Sequence, residues 1–214
     1  LNAASLALQA IAMQRETFRE DEYIRIHPII TRGGDSVSSV PAVVNMETFV
    51  RGRTIEAIQA ASVKVDRSLH AGALAIGARV QVTTLPGYMP CFYDENLVSI
   101  FKQNATELLS AKAVSERRGH GTGSTDVGDM AQIMPVIQPH VAGASGVGHG
   151  ADYRIVDYTQ AVVNPAKMMA MTTIDLLANG GAEAKRVKAE YKAPMTKEQY
   201  LQTVRGFFSE EEFA

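Results

Sequence analysis

Residues 22–52 read EYIRIHPIITRGGDSVSSVPAVVNMETFVRG, and the fold turns on how this stretch alternates. In its first run Ile24, Ile26 and Ile30 fall on one face, while Tyr23, Arg25 and His27 point to the other. In its second run Val44, Met46, Thr48 and Val50 oppose Asn45, Glu47, Phe49 and Arg51. Side chains that switch faces at every residue define a half-buried β-strand. Between the runs lies TRGGDS, where paired glycines supply backbone angles that other residues avoid. The stretch therefore predicts two strands, each with one apolar and one polar face.

Upstream, residues 1–20 place Leu1, Leu8 and Ile11, with Ala4 and Ala12, at helical spacing before a charged turn. Downstream, Thr54 is placed as the N-cap of a helix that carries Ile55, Ile58, Val65 and Leu69 on one face and ends at Gly77. ARVQVTT, residues 78–84, adds a short strand. The order is α-β-β-α-β, which is a β-α-β-β-α-β (ferredoxin-like) domain without its first strand. A sheet with a vacant strand position is an aggregation hazard. The expectation is therefore that the sequence begins inside a domain.

LPGYMPCF, residues 85–92, separates this unit from the rest. Asp94 then caps a helix bearing Leu97, Phe101, Leu108 and Leu109. Residues 115–130, SERRGHGTGSTDVGDM, read as a polar loop, and IMPVIQPHVAG at 133–143 as a buried strand and its exit. Pro165 suits the first turn of a further helix with Met168, Met169, Ile174 and Leu177, stopped by Gly180 and Gly181. The tail at 196–208, TKEQYLQTVRGFF, opens on a Thr196…Gln199 capping box and reads as a docked helix. With about two strands of its own, the second half resembles part of an α/β layer structure.

Composition narrows the function classes. The net charge is -2 over 214 residues with 46% hydrophobic and 21% charged side chains, ordinary for a globular protein and unsuited to nucleic acid. No apolar run approaches the roughly 18 residues of a spanning helix and no signal peptide is legible, which suits a cytoplasmic protein. Cys91 is the single cysteine, so neither an internal disulfide nor a cysteine-cluster metal site can form.

The chemistry-bearing residues are sparse. His27, His70, His120, His140 and His149 include no i, i+4 pair and no His-x-His. His70 reads as part of a solvated helix face, His120 as loop and His140 as a structural group after Pro139. His149, in SGVGHGADY at 145–153, is different, because flanking glycines let backbone approach a ligand closely. GASGVGHG at 143–150 lacks the Lys-Ser/Thr of a phosphate-binding P-loop, which weakens a phosphate-ligand reading. Arg51 ends a strand on its polar face.

HPIITRGGDSVSSVPAVVNMETFVRG, then GSTDVGDMAQIMPVIQPHVAG, then GHG form an ordered series that resembles the zinc-dependent aminoacylase and carboxypeptidase family. Succinyl-diaminopimelate desuccinylase belongs to that family, and its aminobenzoyl-glutamate hydrolase-like branch is the most similar. The resemblance runs up to about Gly181. It implies an α/β catalytic domain interrupted by a β-α-β-β-α-β lid that also forms a homodimer. Residues 1–93 would be the lid without its first strand, and 94–214 the C-terminal part of the catalytic domain. The general base and most metal ligands would lie upstream, leaving no catalytic residue in this chain, which alone would be inactive.

The resemblance also implies site roles. His149 would bind one of two zinc or manganese ions, with Asp152 a candidate to orient its ring. Such ions supply an activated water and polarise a scissile amide carbonyl. Arg51, ten residues after Pro41, would grip the carboxylate of an N-acyl amino acid, amino-acid conjugate or small peptide. Ser38 stands where the family has asparagine, and Gly123, Ser124 and Thr125 would shape the pocket floor. No role follows for His27. The competing reading from another class is a non-catalytic dimerisation module that binds a peptide or small acidic metabolite.

Overall fold

The computed structural model describes residues 1–116, 119, 121 and 123–213. It is a mixed helix-and-strand structure with small sheets, 50% helical and 12% strand. The chain forms two compact units. The first holds Leu1–Pro90, the 123–125 loop and the tail from Lys197; the second holds residues of the Cys91–Gly119 and Asp126–Thr196 stretches. Among the described residues no helix is long and apolar enough to cross a membrane.

The first unit begins with α1 (Asn2–Met13), followed by two single 3-10 turns at Gln14–Thr17 and Glu20–Glu22. The alternating stretch gives β1 (Arg25–Ile26), β2 (Ile29–Arg32), β3 (Asn45–Glu47) and β4 (Val50–Arg51). These are two halves of one hairpin. Arg25 pairs with Arg51 and Ile26 with Val50; in the same register Ile29 pairs with Glu47 and Ile30 with Met46. The ladder lapses at His27-Pro28, since proline has no N–H to give, and a bulge shifts the register between Ile30 and Arg32. Burial alternates as the sequence predicts. Ile24, Ile26 and Ile30 turn inward, as do Val44, Met46, Thr48 and Val50, while Arg25, His27 and Phe49 are exposed.

Beneath the hairpin lies α2 (Ile55–Ile76). Thr54 caps it, its hydroxyl accepting the Ala57 N–H at 3.2 Å, and Gly77 ends it at φ 69°. The core joins one residue from each layer: Ile11 from α1, Ile26 from β1 and Val65 from α2, with Phe18, Ile24, Val50 and Leu69 packed round them. The buried stripe of α1 differs from the predicted one. Ala7 and Ile11 are buried while Leu1 and Ala12 face solvent. Small residues won because α1 crosses α2 so closely. A Cβ on Gly72 would lie 2.5 Å from the Ala3 carbonyl oxygen and 2.7 Å from the Ala7 nitrogen.

β5 (Val80–Thr84) follows α2, and the tail supplies α6 (Lys197–Gly206) and β8 (Ser209–Phe213). β8 pairs antiparallel with β5 along its whole length, from Val80 opposite Phe213 to Thr84 opposite Ser209. The helix in this tail is as expected; the strand is not, because SEEEF shows no apolar alternation.

The second unit is built on α3 (Glu95–Leu109) and α5 (Asn164–Glu190), with α4 (Val127–Ala131) and the hairpin of β6 (Ala144–Ser145) and β7 (Arg154–Ile155). Asp94 is the N-cap of α3, accepting the Leu97 N–H at 2.8 Å. Asn104 on α3 donates to Thr172 Oγ1 at 3.3 Å and to Asp175 Oδ2 at 2.7 Å on α5, a buried polar bridge between the two helices.

Three expectations need correction here. Residues 133–143 form no strand. Pro135 and Pro139 remove two ladder donors, and the segment is tied instead by the Asp94 N–H donating to the Val136 carbonyl at 3.0 Å. The loop at 115–130 contains α4, whose backbone turn starts at Asp126. α5 breaks near the predicted glycines, where Asn179, Gly180 and Gly181 take φ of 51°, 68° and 75°, but helix resumes to Glu190. Its buried residues are Met168, Thr172 and Val187, so Met168 is inward as predicted, whereas Met169, Ile174 and Leu177 are 65%, 65% and 66% exposed.

Candidate functional site

His149 sits on the loop between β6 and β7 at φ 65°, one of few non-glycine residues in left-handed backbone. Histidine visits that region more often than most side chains, but at a cost. The loop around it is closely tied. The Gly150 N–H donates to the Val147 carbonyl at 2.7 Å, and the Val156 and Asp157 N–H groups both reach the Gly143 carbonyl, at 2.8 and 3.0 Å. Gly143 and Gly146 have no room for a side chain: a Cβ would meet the Asp157 and Asp152 carbonyl oxygens at 2.6 Å. Glycine spacing at 143 and 146 therefore closes the hairpin, and His149 rides exposed on its tip.

Asp152, the candidate to orient the imidazole, meets the loop backbone instead of His149 in the hydrogen bonds of the described residues. One of its carboxylate oxygens accepts the Val147 N–H at 3.4 Å, so it serves the loop. Beyond the tip, Asp157 holds the hairpin's exit, accepting the Gln160 amide N–H at 2.7 Å and its backbone N–H at 3.0 Å. Those bonds pull its carboxyl below the usual aspartate range.

Arg51 is half-buried at the end of β4, its guanidinium carbon 5.5 Å from the centroid of the Phe49 ring. It has no ion-pair partner among the described residues. Residues directly opposite in an antiparallel ladder project on the same side, so Arg25 and Arg51 share the hairpin's outer face. His27 and Phe49 follow on that face at the next matching position of the common register.

Ser38 lies exposed in the loop between β2 and β3, its hydroxyl 3.1 Å from that of Ser36. That loop closes on itself where Gly34, at φ 134°, passes Pro41 so tightly that a Cβ would sit 2.7 Å from the ring. Gly123 and Ser124 are exposed and Thr125 half-buried. Arg51, Ser38 and the 123–125 loop belong to the first unit and His149 to the second. His120 lies outside the described residues. His70 packs its ring against Phe213, with centroids 3.3 Å apart, and is half-buried with its Nε2 shielded from solvent, rather than on the solvated face predicted.

Zinc or manganese takes three or four protein donors at a catalytic site. Among the described residues no group of three or more His, Cys, Asp or Glu side chains is placed to hold a metal ion. His149 offers one imidazole, so the described residues do not by themselves fit such an ion. Sequence reading overlooked Arg25, although the alternation that placed Arg51 on the polar face places Arg25 there too.

No protein-family model matches the chain, and a comparison with curated proteins finds no match either.

Proposed function

We propose that the chain is part of a metal-dependent amidohydrolase that cleaves the amide bond of an N-acyl amino acid, amino-acid conjugate or small peptide. In this reading residues 1–93 are a βαββαβ lid and dimerisation domain, and 94–214 complete an α/β catalytic domain. The observation that carries it is His149, an exposed imidazole in costly left-handed backbone on a hairpin that glycines hold closed. Backbone cost at an exposed tip contributes nothing to packing, and such residues concentrate at functional sites.

Arg51 supports the same reading. Its guanidinium is braced by Phe49 and, among the described residues, unpaired by any carboxylate, which suits a clamp for a substrate's terminal carboxylate. Such a contact binds and orients; it moves no proton. Ser38 adds one hydroxyl on the exposed loop, and Gly123, Ser124 and Thr125 contribute open backbone and hydroxyls to the pocket floor. In this reading His149 supplies one donor to the metal centre.

The test is to express the whole coding sequence that contains these residues and follow hydrolysis of N-acyl amino acids with zinc or manganese. His149→Ala should lose bound metal and turnover together. Normal metal content with undiminished kcat in that variant would overturn the proposal.

A further inference from the structure

A second feature of the first unit lies away from His149. Between the turns at residues 14–22 and the outer edge of β1 is an open cleft of about 360 Å³. That volume falls near the lower end of the range for small-molecule sites. Phe18, Ile24 and Ile26 give it an apolar wall, Arg15, Arg25 and His27 also line it, and Glu20 is the one acid among its described lining residues.

The cations lining the cleft are not neutralised evenly. Arg19 is satisfied by Asp21, which takes two of its N–H groups at 3.0 Å each. Arg15 has no side-chain acceptor among the described residues, and Arg25 has only the neighbouring Ile24 carbonyl at 3.0 Å. Across the ladder Arg25 faces Arg51, another cation. Like charges directly opposite in a sheet are unfavourable. Two guanidiniums beside an apolar wall, lacking carboxylate partners, make a seat for an oxyanion.

We infer that this cleft binds a small organic anion, an oxyanion headgroup carried on a flat apolar body. Arg15 and Arg25 hold the headgroup through charge-assisted hydrogen bonds, and Phe18 with Ile24 contacts the body. The inference does not rest on the hydrolase reading, because neither His149 nor Arg51 lines the cleft.

Titration of the ¹⁵N-labelled chain, followed by amide shifts of residues 15–27, tests it. Benzoate and phenyl phosphate are the probes, with benzyl alcohol and inorganic phosphate as controls for body and headgroup alone. Saturable shifts with either probe support the site, and the tighter of the two identifies the headgroup. Arg15→Gln and Arg25→Gln should each weaken binding about tenfold, as expected for the loss of a charged hydrogen bond. Arg25→Lys should recover part of the loss. Arg79→Gln, an exposed arginine paired with Glu212 elsewhere, should change nothing. All three positions are exposed, so unchanged far-ultraviolet circular dichroism separates lost binding from lost folding. Equal binding of benzyl alcohol, equal binding of inorganic phosphate, or indifference to Arg25→Gln would each defeat the inference.

Discussion

Arg25 stands directly opposite Arg51 across the β1–β4 ladder. The hairpin thus carries two arginines at directly opposed positions, one with its guanidinium over Phe49, and neither has an ion-pair partner among the described residues. A structure that needed only a stable hairpin would gain from an acid at one of these positions.

Reversing one charge should therefore help the fold. Arg25→Glu converts a repulsive cross-strand pair into an attractive one, with an expected gain of about 0.2–1 kcal/mol. Urea unfolding at low ionic strength measures it. The gain should shrink in about 0.5 M salt, where the Debye length falls well below its low-salt value. A less stable Arg25→Glu protein at low salt would show that the two arginines do not repel.

The helix crossing makes a second test. Gly72→Ala adds a methyl group where the Ala3 carbonyl and the Ala7 backbone already stand within 2.7 Å of the new atom. Alanine is the better helix former by about 0.5–1 kcal/mol, but overpacking against backbone costs about 1–3 kcal/mol or more. The net expectation is a lower denaturation midpoint. A midpoint raised by the substitution would mean that α1 and α2 part more easily than their close approach suggests.

The parts of the fold legible in the sequence are those whose signals are local. The alternation of residues 23–30 and 44–50, the Thr54 and Asp94 caps and the Gly77 stop all depend on neighbours a few residues away, and all appear in the structure. What escaped depends on distant partners. Ala7 is buried because Gly72 lets α2 approach, and SEEEF becomes a strand because β5 offers an edge. Met169, Ile174 and Leu177 have helical spacing, yet α3 packs on the face that carries Met168 and Thr172. For the site, the glycines at 143 and 146 announced a tight loop, but nothing in the sequence told that Asp152 would be engaged by Val147.

The two caps should differ in worth. Asp94 is buried and accepts the Leu97 N–H at 2.8 Å, while Thr54 accepts the Ala57 N–H at 3.2 Å from an exposed position. Cap removal costs about 0.5–2 kcal/mol in general. Asp94→Ala should fall toward the upper end and Thr54→Ala toward the lower, read as loss of unfolding free energy. Equal losses would mean that burial of the cap adds nothing.

Asp66 on α2 supplies a pH dependence. Its partial burial raises its carboxyl above the usual aspartate value, and Glu211 on β8 raises it further, against an opposing pull from His70. A carboxyl whose folded value exceeds its unfolded value penalises folding once it ionises. That penalty is absent in acid below the unfolded value, grows as pH rises between the two values, and is complete above the folded one. Asp66→Asn should raise Tm at neutral pH and leave it unchanged in strong acid. A benefit that is instead largest in acid would reverse the assignment of sign.

His149 allows stability and function to be set against each other. A non-glycine residue in left-handed backbone costs about 1–2 kcal/mol, and at φ 65° His149 bears that cost on an exposed loop tip. Glycine adopts the same angle without it, although it loses more freedom on folding. If the imidazole is kept for a ligand, His149→Gly should leave Tm equal or higher while metal binding and amide hydrolysis disappear from the intact enzyme. His149→Ala should lose the same activity without the gain in Tm, since alanine keeps the Cβ that makes the angle costly. The comparison separates two explanations that a single variant cannot. A histidine held only by its loop would show the opposite pattern, with His149→Gly lowering Tm and leaving metal content and any amide hydrolysis unchanged.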